Sequence, residues 1–275
     1  MLPSCLEGFS QTLTEPFGAK ESMKQSVLVL VVMFGVCAGV AGDANAQSGL
    51  WADRGYVNIG FGVESGSSAL TETANLTIYE EAATVTTSTE WTSGSLIDAG
   101  FGVRVWRNLT VGLGYHQEEN DTDSQLTGSI PSPIFFNRPR TLDQDVVLER
   151  KEKAAHLVVG WVVPVNEKFD LILFGGPSFF RLEQDVVSDF DIGEQGSPFT
   201  TVVADATVTT QKKSLTGYNV GVDATYILWS NDDLRIGAGG FLRFTQATGD
   251  IQMMTTTQSS DVGGIQFGFG GRIRF

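Results

Sequence analysis

Apolar residues recur at every second position in eight separate stretches of this chain, and that period restricts it to strands whose two faces differ in chemistry. Val57, Ile59, Phe61 and Val63 alternate with Asn58, Gly60, Gly62 and Glu64. Ile97, Ala99, Phe101, Val103 and Val105 alternate with Asp98, Gly100, Gly102 and Arg104. After the link Arg107-Asn108, Leu109, Val111, Leu113 and Tyr115 alternate with Thr110, Gly112, Gly114 and His116, which describes a tight hairpin. Further strands are expected over 155–163, 169–182, 217–228 and 234–245. The fifth stretch is the least regular, because 171–174 is apolar on both faces and Pro177 predicts a bulge or a break in the ladder. The eighth carries Ile265, Phe267, Phe269, Ile273 and Phe275 on one face and Gln266, Gly268, Gly270, Arg272 and Arg274 on the other.

The connections alternate in length. Three are short, near Arg107, around Asn166 and around Asn231-Asp232-Asp233, and four are long, over 65–95, 117–153, 183–215 and 246–262. An even strand number with short turns at one end and long loops at the other predicts an all-β fold: an eight-stranded antiparallel up-and-down transmembrane β-barrel with four long extracellular loops and three short periplasmic turns. A soluble eight-stranded barrel shares the alternation, and the composition of the faces separates the two. The polar face is mostly glycine with sparse arginine and aspartate, which would leave a sheet uncovered in water but gives long arginines room inside a narrow barrel. The face rich in Val, Ile, Leu and Phe then meets lipid, where closure of the ladder pairs every backbone group. Trp106, Trp161, Trp229, Tyr115, Tyr218 and Tyr226 lie near strand ends or on that apolar face, as interfacial girdles require. No apolar run long enough for a spanning helix follows residue 46. With 32 acidic against 18 basic residues and a net charge of −14, the chain repels phosphate backbones, and no nucleic-acid partner is expected.

The first 46 residues read as an address. Met23, Lys24 and Gln25 open a basic start, 27–40 is an apolar core, and Ala44-Asn45-Ala46 is a small-x-small cleavage pattern. The expected organisation is a signal peptide over 23–46, cut before Gln47, an upstream extension over 1–22 that reflects a mis-chosen start, and a barrel domain over 47–275. Val36 is bulky beside Cys37, which argues against a lipid anchor there. Cleavage would remove Cys5 and Cys37, the chain's two cysteines, and leave 28 acids against 16 bases, a charge of −12. A cysteine-free exported domain excludes disulfides, thiol catalysis and cysteine metal sites together.

The terminal strand, with aromatic or apolar residues at alternate positions and a final Phe275, resembles the C-terminal signal of the OmpA-like family of small outer-membrane β-barrels. Phe267, Phe269, Gly270, Ile273 and Phe275 stand in that pattern, and Gly268 departs from it where a polar residue is usual. The stretches 173–180 (LFGGPSFF) and 217–221 (GYNVG) also resemble such barrels, so the likeness extends over about 55–275. It implies a place in the bacterial outer membrane, contact with outer-membrane lipid and lipopolysaccharide, and recognition by the barrel-assembly machinery. These are fold motifs and carry no activity with them. No peptidoglycan-binding domain is expected after Phe275, and so neither is the wall-tethering role of longer relatives.

If the polar face points inward, Glu64, Asp98, Arg104, Asp170, Asp223, Arg235, Arg243, Arg272 and Arg274 share the lumen as a nearly balanced charge network that plugs it. His116 and His156 are the chain's two histidines. His156 falls on the polar face of the fourth strand and reads as a lumen hydrogen-bonding residue. His116 falls at the mouth of the third strand beside Glu118, Glu119, Asp121 and Asp123, a pattern open to a hydrolase dyad or a cation site. Nothing in the sequence fixes a nucleophile, and Asp121-Thr122-Asp123 lacks the glycine and distal glutamate of a calcium loop, so a solvated acidic loop is the expectation, with no catalytic residue, no metal and no cofactor. Gly60/Gly62 and Gly237/Gly239 read as barrel glycines, since the helix of a nucleotide-binding fingerprint is missing. Pro131, Pro133 and Pro139 around Ile134, Phe135 and Phe136 form an apolar loop tip that either packs on the barrel mouth or meets an extracellular ligand. Three functions fit: a structural or surface-interaction barrel, a small-solute channel, or an enzyme using His116 or His156. The eight-strand count favours the first over the second, because side chains fill so narrow an interior.

Overall fold

The computed structural model describes residues 51–194, 196–197 and 199–275. The signal peptide over 23–46, the upstream extension over 1–22 and the cut before Gln47 lie outside the described residues. Among the described residues no helix is long and apolar enough to cross a membrane, so strands do all the spanning. They are β1 (Gly55–Ile78), β2 (Glu81–Trp106), β3 (Leu109–Ile130), β4 (Arg140–Pro164), β5 (Phe169–Glu194), β6 (Val202–Ser230), β7 (Arg235–Gln252), β8 (Thr257–Val262) and β9 (Ile265–Arg274). Each pairs antiparallel with its neighbour, and β9 pairs with both β7 and β1, from Tyr56 opposite Arg274 to Ser65 opposite Ile265. That last pairing closes the ring. β8 continues the line of β9 against the outer half of β7, so the two together occupy one position and the ring is eight-stranded. Gly263 separates them at φ 89°, where an added Cβ would stand 2.5 Å from Thr245 Oγ1. Pro177 interrupts the β4 ladder locally, since neither Leu157 nor Val158 has a paired partner on β5 while the flanking pairs keep their register.

The four long connections are strand for most of their length. The 65–95 stretch is a continuous hairpin whose turn is Tyr79-Glu80, both at positive φ, and among the described residues the unpaired remainders of the others are 131–139, 196–197, 199–201 and 253–256. The chemistry of the two faces inverts along the strands, which hides this extension in the sequence. In the half nearest the short turns, Ile59, Phe61, Ile97, Phe101, Leu113, Val159, Phe179, Phe267 and Phe269 face outward, Phe269 with 74% of its surface exposed. A continuous apolar belt of this size is incompatible with water and fits hydrocarbon. The aromatic residues Trp106, Trp161, Trp229 and Tyr226 border it near the short turns, and Tyr115 and Tyr218 border it on the other side, their hydroxyls bonded to Gln117 and Gln246.

Beyond the belt the outward face is Thr, Ser, Glu and Lys, and the interior becomes an apolar core. Leu70, Ala154, Phe180, Leu182, Val186 and Ile251 pack in one cluster, and Val85, Trp91, Leu126, Ile130, Leu142, Leu148 and Val187 in the next. On β2 the inward set changes from Asp98 and Leu96 to Trp91, Thr89, Thr87 and Val85, a shift of parity across 92–93, where the register with β1 and β3 also slips. The far half of the molecule is therefore built as a water-soluble barrel continuous with a membrane-embedded one.

Two carboxylates, Glu72 buried and Glu194 half-buried, fasten the far end. Glu194 receives a two-pronged bond from Arg140, at 2.5 and 2.6 Å, and this bond holds its carboxyl below the ordinary value. Glu72, inward on β1, reaches the 253–256 turn and accepts from the backbone N–H groups of Met254 (2.9 Å), Thr255 (2.6 Å) and Thr256 (3.0 Å) and from the Thr255 hydroxyl (2.7 Å). Burial alone pushes Glu72 up, but these donors outweigh it and hold the group below 4.5. A depressed carboxyl contributes stability that is fully present above its unfolded value and is lost as pH falls through the folded one. Denaturant unfolding should therefore find Glu72→Gln less stable than wild type by about 1–3 kcal/mol at pH 7, and the gap should close as pH drops below 4.5. A gap that does not change with pH would contradict this role for the carboxylate.

Candidate functional site

The interior of the membrane half is a stack of polar layers, and each follows from the period-two pattern that puts lipid-facing residues on the opposite side of the same strands. At the short-turn end the segment before β1 folds into the barrel mouth. Trp51 is buried there with Tyr56, Val162, Ile172 and Phe174, and its backbone N–H donates to Asn108 Oδ1 at 3.1 Å. Arg104 donates to the Trp51 carbonyl, and Arg235 pairs with Asp53 at 2.8 Å. Arg274 lies above, with Asp170 at 3.4 Å, Asn58 Oδ1 at 2.7 Å, the Thr225 hydroxyl in contact and its guanidinium over the Tyr56 ring. Arg272 comes next, held two-pronged by Asp223 at 2.7 to 3.1 Å, its stem beside Gly239, where an added Cβ would stand 3.0 Å from it. A cavity of about 50 Å³, room for a few waters, separates this layer from Arg243, which pairs with Asp98 at 2.8 Å and donates to Gln266 Oε1 at 2.5 Å.

Above Arg243 lies the most buried layer: His116, His156, Ser178, Thr245 and Gln266, none more than 1% exposed. His116 Nδ1 is 2.7 Å from His156 Nε2, and His156 Nδ1 is 2.7 Å from Ser178 Oγ, which also accepts from Asn219 Nδ2 at 2.9 Å. Asn219 further donates to the carbonyl of Gly176, which the broken ladder at Pro177 leaves free. Gln266 donates to Glu64, and Glu118, Arg150 and Glu152 complete the next level, where Glu64, Glu118 and Arg150 border a second cavity of about 20 Å³.

Of the charged residues that the sequence assigns to the lumen, Glu64, Asp98, Asp170, Asp223, Arg243, Arg272 and Arg274 line it in ion-paired or hydrogen-bonded layers. Arg104 and Arg235 are half-buried at its short-turn rim, where they bind the segment before β1 instead of crossing the barrel. Phe267, Phe269, Ile273 and Phe275 face outward on or beside the last strand. Two expectations are corrected. His116 is not at a mouth, because β3 continues to Ile130 and carries the true rim far beyond it. The acidic run is not a solvated loop but paired strand, so Glu118 is buried inward while Glu119, Asp121 and Asp123 alternate outward.

Sequence reasoning assigns no lumen role to Glu118, Arg150, Glu152, Gln266, Asn219 and Trp51. The first three lie in the 117–153 stretch that lacks an apolar outward face, and Trp51 precedes the first alternating stretch. The serine and histidines that an enzyme reading needs do converge, yet Ser178 has no exposed surface and its hydroxyl oxygen is held from both sides.

No family model matches the sequence, and no curated protein matches it. Among solved structures the chain is similar to the outer membrane protein OprG from Pseudomonas aeruginosa, at 12% identity and a TM-score of 0.45 over 83% of this chain and 98% of that one. It is similar to Neisserial surface protein A at 13% identity and a TM-score of 0.36, over 80% and 97% of the two chains. It is also similar to the outer membrane protease OmpT from Escherichia coli at 11% identity and a TM-score of 0.30, over 82% and 96%. Likenesses this distant add nothing to what the geometry of the chain establishes. The closed eight-stranded ring, the lipid-facing belt with its aromatic borders and the polar interior define an outer-membrane β-barrel.

Removing Arg272 leaves Asp223 buried with Arg274, 3.5 Å away, as its remaining counter-charge among the described residues. Arg272→Ala should cost about 3–5 kcal/mol in denaturant unfolding, and Arg272→Met combined with Asp223→Leu should recover most of it. Equal destabilisation by the single and the double variant would show that packing, not charge, dominates this layer.

Proposed function

We propose that this protein is a closed, non-enzymatic barrel that holds a rigid platform above the outer membrane for structural or surface contacts. The observation that carries this reading is obstruction of the lumen at three successive levels: the Trp51 plug, the ion-paired layers from Arg274 to Arg243, and the apolar cores of the far half. Ion pairs alone open transiently, but an apolar core of this thickness excludes water and solutes from the same axis. The fully buried Ser178 and His156 favour a structural over a hydrolytic role.

The platform ends in the 131–139 loop, where Ile134, Phe135 and Phe136 are exposed, and we assign contact with an extracellular ligand to this tip. Lipid and lipopolysaccharide surround the belt. Membership of the OmpA-like group, and use of Phe267, Phe269, Gly270, Ile273 and Phe275 as the signal for the barrel-assembly machinery, belong to the same proposal and rest on the terminal-strand pattern. Purified protein in planar bilayers should give little or no steady conductance, and Arg243→Ala should yield at most brief openings. Large, stable single-channel currents from the unaltered protein would overturn this function in favour of a small-solute channel.

A further inference from the structure

Three glutamates meet inside the barrel at the level of the histidines: Glu64 on β1, Glu118 on β3 and Glu152 on β4, all buried. Two cations lie at this level among the described residues. Arg243 is committed to Asp98 at 2.8 Å, and Arg150 donates to the carbonyl of Asp261 at 2.9 Å. Glu152 is 1% exposed, and neither of its carboxylate oxygens has a hydrogen-bond partner. Among the described residues its one counter-charge within 4 Å is Arg150 at 3.6 Å, and His116 Nε2 lies 3.7 Å away. A buried carboxylate whose oxygens accept no hydrogen bond is among the least favourable features a fold can hold, and Arg150 is shared by three glutamates, so this position calls for a further positive partner.

His116 presents its Nε2 edge to the glutamates, 3.7 Å from Glu152 Oε1. Arg243 Nε can only donate, so Gln266 presents Oε1 to it and turns its NH2 toward Glu64 and toward His116 Nε2, 3.3 Å away. With the ring proton on Nδ1, donated to His156 Nε2 at 2.7 Å, Nε2 is the acceptor of this contact. His156 passes the same polarity on to Ser178. Arg243 Nη2 also lies 3.3 Å from Nδ1, but its short contact is the one with Asp98. A histidine whose far nitrogen is held by a second residue, with the near one deprotonated, has the arrangement of a metal ligand oriented by its outer shell.

We propose that Glu64, His116 and Glu152 bind one divalent metal ion of the zinc class and thereby clamp β1, β3 and β4 together across the lumen. One ligand atom from each residue lies within 4.8 Å of the others. Zinc–ligand bonds of about 2.0–2.2 Å place tetrahedral ligand atoms about 3.4 Å apart, so side-chain movement of about an ångström closes the site without moving a strand. The imidazole favours zinc-class ions over calcium and magnesium, which prefer all-oxygen sets. The cavity lined by Glu64, Glu118 and Arg150 adjoins the site, and Glu118 adds negative charge along that approach. The ion neutralises the charge that Arg150 leaves unbalanced.

The test uses untagged, folded barrel stripped with a chelator and then desalted after exposure to Zn²⁺, with Co²⁺ as a visible-absorption probe. Because His116 and His156 are the chain's two histidines, an imidazole-bound ion has no other site. The expected result is one zinc per chain by elemental analysis, cobalt d–d absorption, and a thermal midpoint that rises with the metal. Glu152→Gln, Glu64→Gln and His116→Gln should each weaken binding by about tenfold or more while keeping heat-modifiable mobility, and the outward-facing pair Asp121→Asn, Asp123→Asn should leave binding unchanged. Failure of wild-type protein to retain zinc would overturn the proposal. So would wild-type affinity in any one of the three variants that folds, or equal binding of Ca²⁺ and Mg²⁺.

Discussion

Hydrocarbon offers no partner to a backbone N–H or C=O, so a strand crossing a membrane must have both edges paired, and the pairing of β1 with β9 is what meets that demand here. Every other property of the membrane half follows from that closure. Eight strands close into a ring whose interior is only wide enough for side chains, so the inward residues must fill it and must satisfy one another without water. Arginine and aspartate across facing strands do this in the lower layers, and the chain supplies glycines such as Gly239 where a guanidinium stem needs the space. The outward residues have no such requirement and are simply apolar.

Leaving the bilayer reverses both demands on the same continuous strands. Outward positions beyond the belt meet water and become polar, while the interior, now free of the need to sit beneath an apolar exterior, is packed as an ordinary hydrophobic core. The irregular register around Ser65–Ser68 on β1 and Ser88–Ser95 on β2 falls where this reversal occurs. Bulges change which face a side chain occupies without ending a strand, and they let β2 carry Asp98 and Trp91 into the same interior although the two positions differ in parity from a strict alternation. The Glu64, His116 and Glu152 cluster lies close to the boundary between the polar and apolar fillings, where carboxylates have neither bulk water nor a full set of arginines around them.

The membrane half was legible because lipid imposes a strong signal on one face. Once Ile59, Phe101, Val159 and Phe267 are placed outward, period two places Glu64, Asp98, Arg243 and Arg272 inward with no further information. The far half was not, because Thr, Ser and Glu on its outward face resemble a loop, and its inward apolar residues are interrupted by Thr87, Thr89 and Glu72. Treating 117–153 as a connection hides Glu118 and Glu152, and with them the acidic cluster around His116. Trp51 was invisible for a different reason: a plug that folds back from outside the first strand has no periodicity. Which lumen charges pair could not be read from one strand at a time, since Arg272 meets Asp223 from a strand two places away around the ring.

The central claim is that one continuous strand serves two solvents with opposite facing, and β2 tests it most directly. No cysteine lies between Gln47 and Phe275, so single cysteines placed along 84–103 in a background lacking Cys5 and Cys37 can each carry a spin label in reconstituted bilayers. Collision with oxygen, which concentrates in lipid, should be high at Ile97, Ala99, Phe101 and Val103 and low at the residues between them. Collision with a water-soluble nickel chelate should be high at Thr84, Thr86, Ser88 and Glu90 and low at Val85, Thr87 and Thr89, a change of parity across 92–93. A single unbroken parity from 84 to 103, or water access at the odd positions of 97–103, would contradict the account.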